Sequence, residues 1–384
     1  LAGHPKISVV IVDFNGWEDT SDAIKSIFEK EPHRRLNIIV IDNGSQQVFY
    51  EELEKLARSY RRAAFNLSDG HLSRMPFRGE VIYKRLSENK GFAGGSNEGI
   101  RMSLEWGSDY VWLLNNDTII EKMALTYLVL PAEHPDLKGK VAIVGSKLHC
   151  YPEKDKVQFD GFSVNYDGKG RGEQSRGGLS QTHFVSGASM LIKSDFLRRH
   201  GLLREDYFLY FEDNEICLRA SKLGYMVLFN PFSVVYHKGG SSTGGFMVSP
   251  ISVYYFIRNG LFFYSEFGDI GKALYMLKLA KAYIDHFAKN NDYEKIEVTV
   301  KAIRDFILGK MGHMNQPKLL VGNVCQEFTG KLSIVERSLL KQPVGSYDIE
   351  LYFSVVENIL RQKFRKDMEL RQESFSHGQL IQNR

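Results

Sequence analysis

Val111-Trp112-Leu113-Leu114-Asn115-Asn116-Asp117-Thr118 is the stretch on which the fold turns. An apolar run of strand length ends abruptly in amide and carboxylate side chains, the pattern of a buried strand that delivers polar groups to its C-terminal edge. That edge is where open α/β sheets bind their ligands. Asp117, with the oxygen-bearing Asn115 and Asn116 beside it, suits a hard divalent cation such as Mg²⁺ or Mn²⁺ bridging the phosphates of a nucleotide. A strand followed by an Asn/Asp-rich turn is also a common structural object, so the surrounding chain decides between the two.

Upstream, Ile7-Ser-Val-Val-Ile-Val-Asp13 and Leu36-Asn-Ile-Ile-Val-Ile-Asp42 are β-branched runs without alternation, as in strands buried on both faces of a parallel sheet. Between them Asn15-Gly16 forms a break, Asp19 or Thr20 is placed to cap a helix, and Ala23, Ile24, Ile27 and Phe28 fall at helical spacing up to Pro32. Strand, helix and strand in this order begin a doubly wound α/β fold. A helix is expected from Phe49 to Arg62, a polar surface insertion from Ala63 to Gly79, and a third strand at Val81-Ile82-Tyr83. In the segment from Asn89 through Asn97, Gly91, Gly94 and Gly95 are suited to let the backbone approach an anion at the start of a helix from Ser96 to Glu105. Their spacing departs from the dinucleotide fingerprint, which argues against a Rossmann dehydrogenase.

Downstream, a helix is expected from Lys122 to Leu130, ending before Pro131, and a strand at Val141 to Gly145. The stretch from Tyr151 to Gln181 reads as loops and hairpins suited to a lid. His183 to Ile192 is a turn and strand in which Gly187 and Ala188 keep space clear near a site. Ser194 is expected to cap a helix over Phe196 to His200. The second polar centre is Phe211-Glu212-Asp213-Asn214-Glu215, opening a helix that ends at Gly224; carboxylates at a helix N-terminus are also stabilised by its dipole alone. Tyr225 to Asn230 is a further strand, and Val234 to Gly245 carries His237 into a glycine-rich loop. From Pro250 the periodicity is helical, over Val253 to Phe267, Ile270 to Lys289, Tyr293 to Leu308 and Asp348 to Arg371, with frayed final residues. The aromatic run Tyr254 to Tyr264 reads as packing against the first domain or another subunit.

At 384 residues, one large domain over 1–249 and a helical region over 250–384 are the natural division. The 43% apolar and 25% charged fractions belong to an ordinary globular protein. A net charge of +4 is too small to argue for nucleic acid, and no nucleic-acid partner is expected. Cys150, Cys217 and Cys325 are widely spaced and read as free thiols in a reducing compartment. No run approaches the roughly 18 to 20 apolar residues of a membrane span, and the start at Leu1 reads as a trimmed end without a signal peptide. A cytoplasmic location follows, with Lys272, Lys278 and Lys281 allowing the helices a peripheral contact with the inner face of a membrane. Matches to the glycosylation pattern at Asn66 and Asn116 are taken as chance.

Taken in order, Val12-Asp-Phe-Asn15, Ile41-Asp-Asn-Gly-Ser45, Asn89 through Asn97, Leu114-Asn-Asn-Asp117, Ser186-Gly-Ala188, Phe211-Glu-Asp213 through Arg219, and His237 resemble glycosyltransferase family 2, and within it the rhamnosyltransferase-type branch. The likeness covers roughly the first 245 residues and is specific through the order of the motifs. It implies a GT-A fold, an inverting mechanism, a nucleotide-diphosphate sugar donor and a glycan or lipid-linked acceptor, in surface polysaccharide synthesis. Asp42 would then bond the nucleobase, and Asp13, Asn15, Asn89, Gly91, Gly94, Gly95, Asn97, Asn115 and Asn116 would line the nucleotide sugar. Asn115-Asn116-Asp117 stands where the family has its DXD motif, with Asn in place of the first Asp. Asp117 would be the chief ligand of Mn²⁺ or Mg²⁺ and His237 the second. Asp213 would be the general base, with Glu212 contacting the acceptor or orienting it; Gly187 and Ala188 would face the acceptor and Arg219 brace the carboxylates. The helical region would serve packing, acceptor or membrane docking, or a homodimer.

The chemistry asks for these groups: a carboxylate to take the acceptor's proton, and a cation to neutralise the departing diphosphate. A sugar-phosphate nucleotidyltransferase is the second reading, disfavoured because Asp13-Phe-Asn-Gly-Trp17 lacks a basic, glycine-rich triphosphate loop. A non-catalytic nucleotide-sugar-binding or assembly protein is the third.

Overall fold

The computed structural model describes residues 5–31, 36–59, 64–65, 80–161, 177–239, 249–315, 318–319, 326–340 and 345–382. The expected insertion at 63–79, the middle of the proposed lid (162–176), the glycine-rich loop after His237 and Cys325 fall largely or wholly outside them. The chain forms two compact units, Leu1–Phe246 and Met247–Arg384.

The first unit opens with β1 (Ile7–Asp13), α1 (Trp17–Lys30), β2 (Leu36–Asp42), α2 (Gln47–Ser59), β3 (Ala64–Phe65), β4 (Val81–Arg85) and α3 (Gly91–Glu105). It continues with β5 (Tyr110–Leu114), β6 (Thr118–Ile120), α4 (Ala124–Glu133), β7 (Val141–Cys150), β8 (Val157–Phe159), β9 (Ser180–Gln181), β10 (Ser189–Lys193), α5 (Ser194–His200), α6 (Glu212–Lys222) and β11 (Met226–His237). The strands make one mixed sheet in the order β3-β4-β2-β1-β5-β10-β7-β11-β6, with β8 added to β7 and β9 to β11. The β3-β4-β2-β1-β5 portion is parallel, and β10 runs antiparallel to both β5 and β7.

The unalternating runs are buried as their composition requires: every residue of β2 and of β5 is buried. Each Val or Ile so placed stabilises the fold by about 1.5–3 kcal/mol before entropy is counted. Beneath the site, Trp112 donates its indole N–H to Ser189 (3.0 Å), and Ser189, Ser146 and Ser233 continue a chain of buried hydroxyls that ends on the Ala124 carbonyl. Satisfied polar groups of this kind tie β5, β10, β7 and β11 in one register.

Several local expectations are corrected. Thr20 lies inside α1 rather than capping it, because its hydroxyl is held by the Asp13 carboxylate at 2.5 Å. Pro131 is inside α4, not beyond it. A mid-helix proline frees the carbonyl four residues back; here that group, on Tyr127, accepts from Asn230 Nδ2 at 2.6 Å. Ser194 starts α5 without a side-chain cap. Helix α3 starts at Gly91, five residues before the expected Ser96.

The second unit contains α7 (Pro250–Glu266), α8 (Ile270–Lys289), α9 (Tyr293–Ile307), β12 (Lys310–Met311), β13 (Lys318–Leu319), α10 (Gln326–Leu339) and α11 (Ser346–Gln382). α11 continues through the residues expected to fray. The aromatic run packs within this unit: Tyr254 donates to Asp305 (2.7 Å), and the fully buried Arg258 donates to Tyr254 and to the Gly312 carbonyl. Cys150 and Cys217 are free thiols, and no described helix is long and apolar enough to cross a membrane.

Candidate active site

β5 stops at Leu114 and the chain turns through Asn115, Asn116 and Asp117 into β6, which pairs antiparallel with the end of β11 so that Thr118 lies opposite His237. That register puts His237 Nε2 at 3.1 Å from Asp117 Oδ1 and 3.3 Å from Asn115 Nδ2. His237 Nδ1 is 2.9 Å from Gln158 Oε1 on β8. The Lys238 N–H donates to the Asp117 carbonyl, and the Lys238 ammonium is clasped by Asp19 (2.6 Å) and Asp22 (3.0 Å) of α1. Beside the pair, Asn115 Oδ1 is buried with no hydrogen-bond partner among the described residues.

Oxygen with imidazole is a donor set that Mn²⁺ accepts readily and Mg²⁺ tolerates. No group of three or more His, Cys, Asp or Glu able to hold a metal occurs among the described residues. Asp117 and His237 supply two donors, so a cation held here would draw its remaining ligands from water and substrate phosphates, as Mg²⁺-type ions commonly do.

Asn116 turns the other way. Its amide lies 3.4 Å from both Asp13 Oδ1 and the Gly16 carbonyl, and Asp13 also accepts from Thr20 and, at 3.4 Å, from Ser45. Burial pushes the Asp13 carboxyl up to about 6 despite the Thr20 hydrogen bond, and the nearby Asp42 charge pushes in the same direction. Asn15, in the left-handed region at φ 57°, receives the Gln46 N–H on its amide oxygen at 2.8 Å. Asp13, Asn15 and Asn116 use these hydrogen bonds to join the ends of β1, β2 and β5, an internal brace at the edge where the nucleotide sugar is expected.

Asp42, opposite Asp13 across β1 and β2, accepts the Ser45 N–H at 2.9 Å with one oxygen. Its buried Oδ2 lies 3.3 Å from Arg85 Nε but outside hydrogen-bonding geometry. The contact is an ion pair that leaves the lone pairs of Asp42 Oδ2 without a hydrogen bond among the described residues. Arg85 in turn lies over the Tyr50 ring at 4.0 Å and donates to Gln47 and to the Ser45 carbonyl. Neither Arg85 nor Tyr50 carried any signal in the sequence.

The glycine-rich stretch packs closely against neighbouring protein. A Cβ on Gly95 would stand 2.8 Å from Val12 Cγ1, one on Gly94 2.6 Å from Lys90 Cβ, and one on Gly91 2.2 Å from the Phe208 carbonyl oxygen, so these glycines admit neighbouring protein groups. Gly91 also has φ 73°. Asn97 donates to the Leu203 carbonyl and Glu205 and accepts the Leu203 N–H. Asn89 Oδ1 receives the Asn43 amide and the Gly91 N–H.

On the opposite side of Ala188 stands the acid pair. Asp213 accepts the Gly187 N–H at 3.0 Å on one oxygen, and the Asn214 N–H (2.8 Å) and side-chain amide (3.0 Å) on the other. Glu212 is buried, and its Oε2 has no hydrogen-bond partner among the described residues. Burial raises both carboxyls, Glu212 well above its ordinary range, with the Asp213 charge adding to the rise. Because the donors converge on Asp213, the first proton the pair takes up settles on Glu212 and Asp213 keeps the charge. Phe208, Tyr210 and Phe211, just ahead, all have positive φ, a strain of about 1–3 kcal/mol each of the kind found at functional sites. Arg219 does not brace this pair: it donates to the His200 and Leu202 carbonyls and to Glu215.

The two centres are joined by adjacent residues. The Gly187 N–H holds Asp213, and the Ala188 carbonyl accepts the Asn115 N–H at 3.0 Å. Residues 8–201, which include Asp117 and Gly187-Ala188 and end before Asp213 and His237, match the family model described as Glycosyl transferase family 2. The chain belongs to glycosyltransferase family 2. Among proteins similar to it, dTDP-rhamnosyl transferase RfbF of Shigella flexneri is 27% identical over 186 residues, 45% of this chain and 60% of that protein. The low-salt glycan biosynthesis hexosyltransferase Agl10 of Haloferax volcanii is 25% identical over 205 residues, 49% of this chain and 62% of that protein. The chain thus spans less than two thirds of either relative. S. aureus TarS 1-349, solved in complex with UDP-GlcNAc, superposes with a TM-score of 0.50 at 15% identity, covering 93% of this chain and 92% of that one. The fold is GT-A, followed by a helical C-terminal region.

Proposed function

We propose that the chain is an inverting glycosyltransferase, dependent on Mn²⁺ or Mg²⁺, that moves a sugar from a nucleotide-diphosphate sugar to a glycan or lipid-linked acceptor in surface polysaccharide synthesis. Rhamnosyl or a similar deoxyhexosyl unit is the favoured sugar, supported by the likeness to a relative named as a dTDP-rhamnosyl transferase. The observation that carries the reading is the Gly187-Ala188 dipeptide, whose two backbone groups hold Asp213 on one side and Asn115, next to the Asp117–His237 pair, on the other.

A single displacement at the anomeric carbon needs a base on the face opposite the leaving group. Asp213 removes the proton of the acceptor hydroxyl; its raised affinity for protons makes it the better base, and protonated Glu212 beside it adds no second negative charge. Asp42, with Arg85, offers the nucleobase a carboxylate oxygen and a nearby cationic edge. Asp117 and His237 hold the divalent ion, which when bound supplies Lewis-acid neutralisation of the departing diphosphate. Residues 1–249 form the catalytic domain, and 250–384 serve packing, homodimerisation, or docking of the acceptor or the inner face of a membrane from the cytoplasm.

The test is to offer the purified chain a panel of nucleotide sugars and acceptors with Mn²⁺ and to read the product's anomeric configuration by NMR. Inversion is expected. Retention of configuration, or binding without turnover across the panel, contradicts the proposal, and pyrophosphate release from a nucleoside triphosphate would point to nucleotidyl transfer instead.

A further inference from the structure

We infer that Gln158 is a positioning residue that decides whether the His237 nitrogen facing Asp117 presents a lone pair or a proton, and so sets how tightly the cation is held; the inference rests on the metal reading proposed above. β8 and β11 both pair with the last residues of β7, and the Gln158 amide reaches His237 across that strand. The resulting line is Gln158 Oε1 to His237 Nδ1 at 2.9 Å, then His237 Nε2 to Asp117 Oδ1 at 3.1 Å.

A neutral imidazole carries one N–H, and the hydrogen bond made by one ring nitrogen fixes the role of the other. With Gln158 Oε1 accepting, the N–H sits on Nδ1 and Nε2 turns its lone pair toward the Asp117 carboxylate. Two acceptors at that separation repel each other, and a cation between them removes the repulsion. Asn115 Nδ2, at 3.3 Å, relieves it only in part. With the amide turned over, Gln158 donates to Nδ1, the ring N–H moves to Nε2, and His237 bonds Asp117 directly, closing the site to a cation. A glutamine serves both arrangements by rotating its amide. A glutamate accepts only, and a leucine does neither. Outer partners of ligating histidines commonly change metal affinity by about 10–100-fold; Gln158 is exposed, where water competes for its amide, which places the effect near the lower figure.

The measurement is Mn²⁺ binding to the full chain, read from the electron paramagnetic resonance signal of free Mn²⁺, for the native chain, Gln158→Leu, Gln158→Glu and His237→Ala. Gln158→Leu is expected to bind about tenfold more weakly, and Gln158→Glu, which keeps the acceptor, as tightly as the native chain or more so, with all thermal midpoints alike. Equal affinity in the native chain, the Leu variant and the Glu variant overturns the inference. Equal weakening in both variants also overturns it, by showing that Gln158 acts through packing rather than as an acceptor. Should the native chain fail to bind Mn²⁺, or His237→Ala bind it unchanged, the metal reading itself falls and this inference with it.

Discussion

Replacing Asp213 by Asn keeps the size of the side chain and removes its capacity to take a proton. The native carboxylate accepts three N–H groups, one from Gly187 and two from Asn214. An amide has one oxygen. Turned toward Asn214, it sets its own NH₂ against the Gly187 N–H; turned toward Gly187, it faces both Asn214 donors with another donor. The unmet group costs about 1–3 kcal/mol, reduced by removal of a negative charge beside Glu212, so the thermal midpoint should fall by no more than about 2–10 °C. Loss of a general base costs about 10²–10⁴ in kcat, equal to about 3–5 kcal/mol on the barrier. Donor affinity should stay close to native, because no donor contact is assigned to Asp213. Steady-state transfer kinetics, isothermal titration with the donor and a melting curve separate these effects. A variant that is folded and turns over within about threefold of native would refute the assignment of the base.

A methyl group on Gly99 would lie 2.4 Å from Val10 Cγ1; Gly99→Ala should cost about 1–3 kcal/mol in chemical denaturation, and Val10→Ala should restore part of it without altering donor affinity. Asp13 is held with its pKa up near 6 against an unfolded value of 3.8, so it binds more protons when folded, and its contribution to stability falls as pH rises from about 4 to 6. Relative to Asp13→Asn, the native chain should therefore lose about 2.4 kcal/mol between pH 4 and pH 7; a pH-independent difference between the two would contradict the burial argument. Arg85→Met removes the contact with Tyr50 and the ion pair with Asp42, and should raise the KM for the donor while leaving kcat near native. A change in kcat alone would place Arg85 elsewhere in the mechanism.

The strands were legible because burial on both faces leaves a continuous apolar run, visible in β1, β2 and β5 without knowledge of their partners. The candidate site residues stand out too, since Asp117, His237 and Asp213 lie at strand or helix ends. What joins them was not. Asp117 and His237 meet only because β6 turns back along β11, a pairing between segments more than a hundred residues apart that local pattern does not encode. The packing of the glycines at 91, 94 and 95 is hidden for a related reason: a glycine that admits a phosphate and one that admits a valine look alike until the facing strand is known. Arg219 is drawn to the chain after α5 by the His200 and Leu202 carbonyls, which no motif announces. The left-handed residues at 208, 210 and 211 are aromatic, a type that gives no warning of positive φ. α10 went unnoticed between the Gly- and Pro-marked breaks around it.

The central claim is that nucleotide-sugar binding and a divalent cation are coupled through Asp117. It is tested most directly by thermal denaturation of the native chain and Asp117→Asn with each of a set of nucleotide sugars, with and without Mn²⁺. A ligand that binds only the folded state adds about 2.7 kcal/mol at a hundred times its Kd, a shift of several degrees for a unit of this size. The native chain should show that shift with one family of nucleotide sugars only when Mn²⁺ is present, and Asp117→Asn should lose it. Shifts of equal size with and without Mn²⁺, or unchanged in Asp117→Asn, would contradict the claim.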